Sequence, residues 1–256
     1  MRITDKQGNK TWKNDSGQIH RNDDLPAIEK ANGDKLWYNN GKQHRDNGLP
    51  AVIRADGDSF WFINRKLQGP GSHSLPSIQK ANGDKLWYSN YEKRILHRDN
   101  DLPAIEKNNG DKYWYVNGKC HRDNNLPAFE KNNGNKYWYV NGKCHRDNDL
   151  PAIEHANGNK YWYVNGKWHR IGGLPAREYA NGSKEWWIYG KQYTYEQVCN
   201  YYKILKNFGR YCLMKIRIRR LRRLRWIHGE LLCMPAKGSY QGGQDYHQMV
   251  SYFMSM

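Results

Sequence analysis

A period constrains this chain more than any other feature. Between Asp99 and Tyr163 a unit of the form HRDNDLPAIEKNNGDKYWYVNGKC runs and returns. His97, His121, His145 and His169 are spaced 24 residues apart, and Pro103, Pro127, Pro151 and Pro175 keep the same interval. A period in the twenties implies a repeat architecture, in which each unit buries its surface against its neighbours. Trp12 opens the series in a partial unit, and the central tryptophan recurs at Trp37, Trp61, Trp87, Trp114, Trp138, Trp162 and Trp186.

Within a unit, LPAIEK (102–107) ends at Asn108, Asn109 and Gly110, and KYWYV (112–116) ends at Asn117 and Gly118. That pattern predicts strand, turn, strand, turn, because Asn-Gly tolerates the positive φ that tight hairpin turns require. Alternation along KYWYV puts Tyr113 and Tyr115 on one side of the strand and Trp114 on the other. Successive hairpins pair edge to edge, two strands advancing the ribbon about 9–10 Å per unit. The expected fold is an all-β repeat ribbon, an antiparallel meander of about eight hairpins over 1–193. A small helical segment over 194–256 follows it. The stretches at 68–77 and 89–98 carry extra residues and predict a bulge or bend.

Composition agrees with a ribbon rather than a thick core: only 38% of residues are hydrophobic, and many of those are Tyr and Trp, which suit half-exposed faces. No apolar run is long enough to cross a bilayer and the first residues lack a secretory signal, so a soluble intracellular protein is expected. Five cysteines without paired Cys-x-x-Cys spacing fit a reducing compartment. The net charge of +17 favours acidic partners.

At Thr194 the Asn-Gly turns stop. Thr194 with Gln197 predicts a capping box, and Val198, Tyr201, Tyr202, Leu205 and Phe208 follow helical spacing. A second, basic helix is expected over 210–227, carrying Lys215, Arg217, Arg219, Arg220, Arg222, Arg223 and Arg225. Residues 195–256 hold eleven Lys and Arg against three Asp and Glu, so about half of the surplus charge lies there.

The spacing of aromatics and turn glycines, as in Tyr113, Trp114, Tyr115, Gly118, His121 and Gly134, resembles the MORN repeat over roughly 8–191. The resemblance implies an antiparallel β-ribbon, with scaffolding, dimerisation and in some members phospholipid binding. The chain departs from that pattern in placing His-Arg and then Leu-Pro-Ala where MORN units usually place glycines. Repeats of this type joined to an Arg-rich end also resemble proteins of large double-stranded DNA viruses, which implies a virion or virus-factory setting.

His121-Arg122-Asp123 looks like the catalytic loop of protein kinases, but the tripeptide recurs at His44, His97 and His145 and no phosphate loop or Asp-Phe-Gly accompanies it. Histidine packed beside the turn, with Arg and Asp bridging units, is the simpler assignment. Cys120-His121 and Cys144-His145 are one unit apart, yet adjacent strand residues face opposite ways, which disfavours a tetrahedral metal site. No metal, cofactor or catalytic residue is expected. The expected function is non-enzymatic scaffolding through protein partners or self-association. Partner contact is assigned to Trp114, Trp138, Trp162, Tyr115, Tyr139 and Tyr163. The alternative is nucleic-acid or anionic-membrane binding through Lys215 to Arg225.

Overall fold

The computed structural model describes residues 1–67, 75–90, 93 and 95–206. The chain divides into two compact units, 1–192 and 193–256.

The first unit is the antiparallel meander that the repeat predicts. Ile105–Glu106 pairs with Lys112–Tyr113 of its own repeat, and Lys112–Tyr113 pairs in turn with Phe129–Glu130 of the next. The same alternation carries the sheet on through Lys136–Tyr137, Ile153–Glu154, Lys160–Tyr161, Arg177–Glu178 and Lys184–Ile188. It also runs back to Arg2–Thr4. Among the described residues seventeen strands join in this one sheet.

The segment KYWYV is not one continuous strand. Its pairing breaks at Trp114, whose backbone N–H donates to Ala128 O at 2.8 Å and whose carbonyl accepts the His121 N–H at 3.2 Å. Trp114 therefore bonds to the connection leading to the next repeat, and Tyr115–Val116 folds back on Lys119–Cys120 instead. Each regular repeat thus adds a second, smaller hairpin beside the sheet, and six such ladders occur among the described residues. A backbone bond joins neighbouring ladders, as in Gly142 N–H to Cys120 O at 2.8 Å and Gly166 N–H to Cys144 O at 2.9 Å. The ladder at Tyr88–Asn90 carries a register shift, where the extra residues predict a bulge; residues 68–74 lie outside the described residues.

The two Asn-Gly sites of a repeat make different turns. Asn117 and Gly118 both have positive φ, +49° and +76°, the pairing that a tight two-residue turn needs. At 108–111 only Gly110 is left-handed, at +91°, and the turn closes by Lys107 N–H to Asp111 O at 2.8 Å and Gly110 N–H to Lys107 O at 2.9 Å.

The core is a series of small clusters. Trp114, Cys120 and Ala128 form one, flanked by Tyr115, Phe129 and Tyr139, and Trp138, Cys144 and Ala152 form the next. The alanines after Leu-Pro are fully covered throughout the series, so a larger side chain there would meet tryptophan.

In the second unit, residues 195–206 are helical. Gln197 Oε1 accepts the Thr194 N–H at 2.8 Å and Thr194 Oγ1 accepts the Gln197 N–H at 3.2 Å, completing the capping box. Val198, Tyr201 and Leu205 are buried. The expected basic helix with Lys215, Arg217, Arg219, Arg220, Arg222, Arg223 and Arg225 lies outside the described residues. No helix among the described residues is long and apolar enough to cross a membrane.

Candidate functional site

The recurring His-Arg-Asp loop concentrates the chain's polar chemistry, and it begins with arginine. The Arg122 guanidinium lies 3.8 Å from the Trp114 ring centroid. It donates two bonds of 2.8 Å to the Asp101 carboxylate of the preceding loop, one of 2.9 Å to Glu130 Oε1 and one of 3.3 Å to Pro127 O. These charge-assisted bonds and the stacked indole fix its plane. The stack recurs at Arg21, Arg45, Arg98, Arg146 and Arg170 over Trp12, Trp37, Trp87, Trp138 and Trp162, at 3.7–4.0 Å. Four of these indoles also hold the preceding loop: Trp37 Nε1 donates to Asp24 O, Trp114 Nε1 to Asp101 O, Trp138 Nε1 to Asn125 O and Trp162 Nε1 to Asp149 O, all at 2.9 Å.

Histidine faces the other way. His121 Nδ1 lies 3.3 Å from the Asn141 N–H of the next repeat, and since that group can only donate, neutral His121 carries its proton on Nε2. Nε2–H then donates to Asp123 Oδ1 at 3.0 Å. The loop needs two successive left-handed residues, Asn124 and Asn125 at φ +57° and +56°, a conformation that Asn and Asp tolerate best among residues with a side chain.

A third set of bonds runs along the sheet turns. Asp111 Oδ1 accepts the Asn132 N–H at 2.8 Å and Oδ2 accepts Lys131 Nζ at 3.0 Å, while Lys131 also reaches Tyr113 Oη. The Asn132 N–H, followed by the Lys131 ammonium, holds the Asp111 carboxyl below the usual carboxylate range.

Between consecutive loops lies a groove of about 230 Å³. Trp138, Tyr139 and Val140 line it, with Asp123 and Leu126 on one loop and Asp147 on the other.

Trp114, Trp138 and Trp162, expected at a partner surface, are 5–6% exposed, because the stacked arginine and the loop carbonyl take up the indole. Tyr115, Tyr139 and Tyr163 are half-buried, Tyr115 and Tyr139 against Phe129. Burial pushes the Tyr139 and Tyr163 hydroxyls up to about 12. Cys120 and Cys144 are buried thiols, and burial raises Cys144 to about 12, which disfavours the thiolate that a metal or an electrophile requires. Among the described residues no three His, Cys, Asp or Glu side chains converge on a metal position. Sequence reading missed the groove and the exposed row of Asp123-type carboxylates; the available signal was an Asp at the third place of each His-Arg-Asp.

No family model, curated protein or solved structure matches this chain.

Proposed function

We propose that this protein is a non-enzymatic scaffold that assembles with protein partners or with further copies of itself. One observation carries the proposal: the recurring Arg, Trp, His and Asp or Asn side chains are bonded to the adjacent repeat, and the arginine–indole stack occurs six times among the described residues. Side chains used this way build a periodic surface, whereas catalysis calls for a single set of acid, base and nucleophile. Sedimentation velocity over a concentration series is expected to show species larger than one chain. A strictly monomeric protein at the highest concentration, with no partner captured, would count against it. The setting we propose, from the likeness of the repeats, is a virion or virus factory, which detection in purified particles would check.

A second reading is supported by the charge surplus of 195–256: contact with nucleic acid or anionic lipid through Lys215 to Arg225. Binding to an oligonucleotide or to acidic vesicles should then fall steeply with salt. Changing Arg217, Arg219, Arg220, Arg222 and Arg223 to Gln should flatten that dependence, and an unchanged slope would remove the reading.

A further inference from the structure

The loops of Asp46, Asp123 and Asp147 present a carboxylate and an exposed leucine together, and in the Asp99 loop the leucine, Leu102, is half-buried. Asp123 and Asp147 are 77% and 75% exposed although each accepts a histidine bond. Asp46 and Asp99 make the same bond. Among the described residues these four carboxylates have only histidine as an ionic partner. Leu25, Leu49, Leu126, Leu150 and Leu174 are exposed along the same series of loops. Leu126 and Asp123 share one turn, closed by Leu126 N–H to Asp123 O at 3.1 Å, and both border the groove floored by Tyr139 and Val140.

The spacing of this face selects what can lie along it. One loop follows another after two strands, about 9–10 Å. An extended polypeptide in the polyproline II form covers that distance in three residues, at about 3.1 Å each, and brings every third side chain back to the same side. An α-helix, rising about 1.5 Å per residue, brings a side chain back to the row only every seventh residue, about 10.5 Å on, and so would match a seven-residue rather than a three-residue interval. A nucleic-acid strand would bring phosphates against carboxylates. The complementary occupant is an extended peptide with a cation at every third residue and an apolar side chain at the same interval.

The chain contains such a stretch. Arg219, Arg222 and Arg225 recur every third residue, and so do Ile218, Leu221 and Leu224. Asp99, Asp123 and Asp147 stand on three consecutive repeats. We propose that the loop face around Asp99, Asp123 and Asp147 docks the 217–227 stretch of a second copy in polyproline II form, arginines on the carboxylates and a Leu or Ile side chain in the groove between the Asp123 and Asp147 loops. This rests on the self-association proposed above and names its contact.

The test titrates a labelled peptide of sequence 215–227 onto full-length chain in which Arg219, Arg222 and Arg225 are changed to Gln, so that its own stretch does not compete. The periodic peptide is expected to bind at least about tenfold more tightly than a peptide of equal composition with its arginines clustered. Asp99→Asn, Asp123→Asn and Asp147→Asn together should abolish that preference. Equal binding of both peptides, an unaffected triple variant, or no binding would overturn the proposal. Carbodiimide labelling of unmutated carboxylates gives a second readout that depends on no Asp variant: the peptide should protect Asp123 and Asp147, and unchanged labelling also overturns it. Wild-type sedimentation separates the two claims. Self-association with no peptide binding leaves the scaffold and removes this contact; peptide binding by a monomeric wild type leaves the docking face and removes the assembly.

Discussion

The sheet turns of the middle repeats and those of the later repeats make the same bond with different chemistry. Asp34, Asp58, Asp84 and Asp111 accept the backbone N–H of Ala55, Ala81, Asn108 and Asn132 at 2.8–3.0 Å. Asn135 and Asn159 accept those of Ala156 and Ala180 at 2.8 Å. What the repeat requires at this place is a side-chain oxygen, and charge is an option added to it. The neighbour follows the choice. Asp58, Asp84 and Asp111 each receive a lysine from the next repeat, Lys80, Lys107 and Lys131. Opposite the asparagines stand His155 and Tyr179, each against Tyr161, at 5.2 and 5.9 Å between ring centroids. One region joins its turns with ions and the other with rings.

The largest effect is expected at the boundary between the two regions. Trp138→Ala removes a buried ring together with its bonds to Asn125 and Arg146, and should cost about 3–5 kcal/mol. Because repeats hold one another only through neighbours, calorimetry should then show two transitions where the wild type shows one; a single transition would mean that the regions couple by another route. Next comes Asp111→Ala, which strips an acceptor from both Asn132 and Lys131 and should cost about 2–3 kcal/mol in chemical denaturation, against about 1 kcal/mol for Asn135→Ala. Asp111→Asn should restore most of the loss, since the backbone bond returns. Smallest is Asn125→Asp. Arg146 has one bond of 2.9 Å to Asn125 where Arg122 has two to Asp101, so supplying the carboxylate should stabilise by about 0.5 kcal/mol, a gain erased by high salt because the site is half exposed. A gain that persists in molar salt would show that screening does not govern this pair.

The period, the antiparallel meander, the positive φ at Asn117 and Gly118 and the Thr194–Gln197 cap were legible because each depends on residues close in sequence. The break at Trp114 was not. Alternation along KYWYV fits a continuous strand equally well, and only the connection 121–128, arriving at Ala128 and His121, decides otherwise. The pairing of Arg122 with Asp101 and of His121 with Asn141 spans 20–21 residues, so it emerges only once repeats are placed side by side. The groove depended on that stacking as well. The exposed carboxylate could have been noticed earlier, since a purely internal ion pair has no need of a second Asp in the same loop.

The most direct test of the claim that side-chain oxygens join repeat to repeat is amide hydrogen exchange at neutral and acid pH. Hydrogen bonding holds the Asp34, Asp84 and Asp111 carboxyls below their ordinary value: the Ala55 N–H leads for Asp34, Lys107 for Asp84 and the Asn132 N–H for Asp111. For Asp58, burial acts upward and the bonds from Lys80 and Ala81 outweigh it. A lowered folded value means that the stabilisation is fully present above the unfolded value of about 4 and is lost as pH falls through the folded one. At neutral pH the Ala55, Ala81, Asn108 and Asn132 amides should therefore be protected as well as those of Ala156 and Ala180. As the pH falls through the folded values of these carboxyls, the first four should lose part of their protection, because a protonated carboxyl accepts more weakly and releases its lysine, while the last two, held by asparagine, keep theirs. Uniform loss across all six, or none of the six protected at neutral pH, would contradict the account.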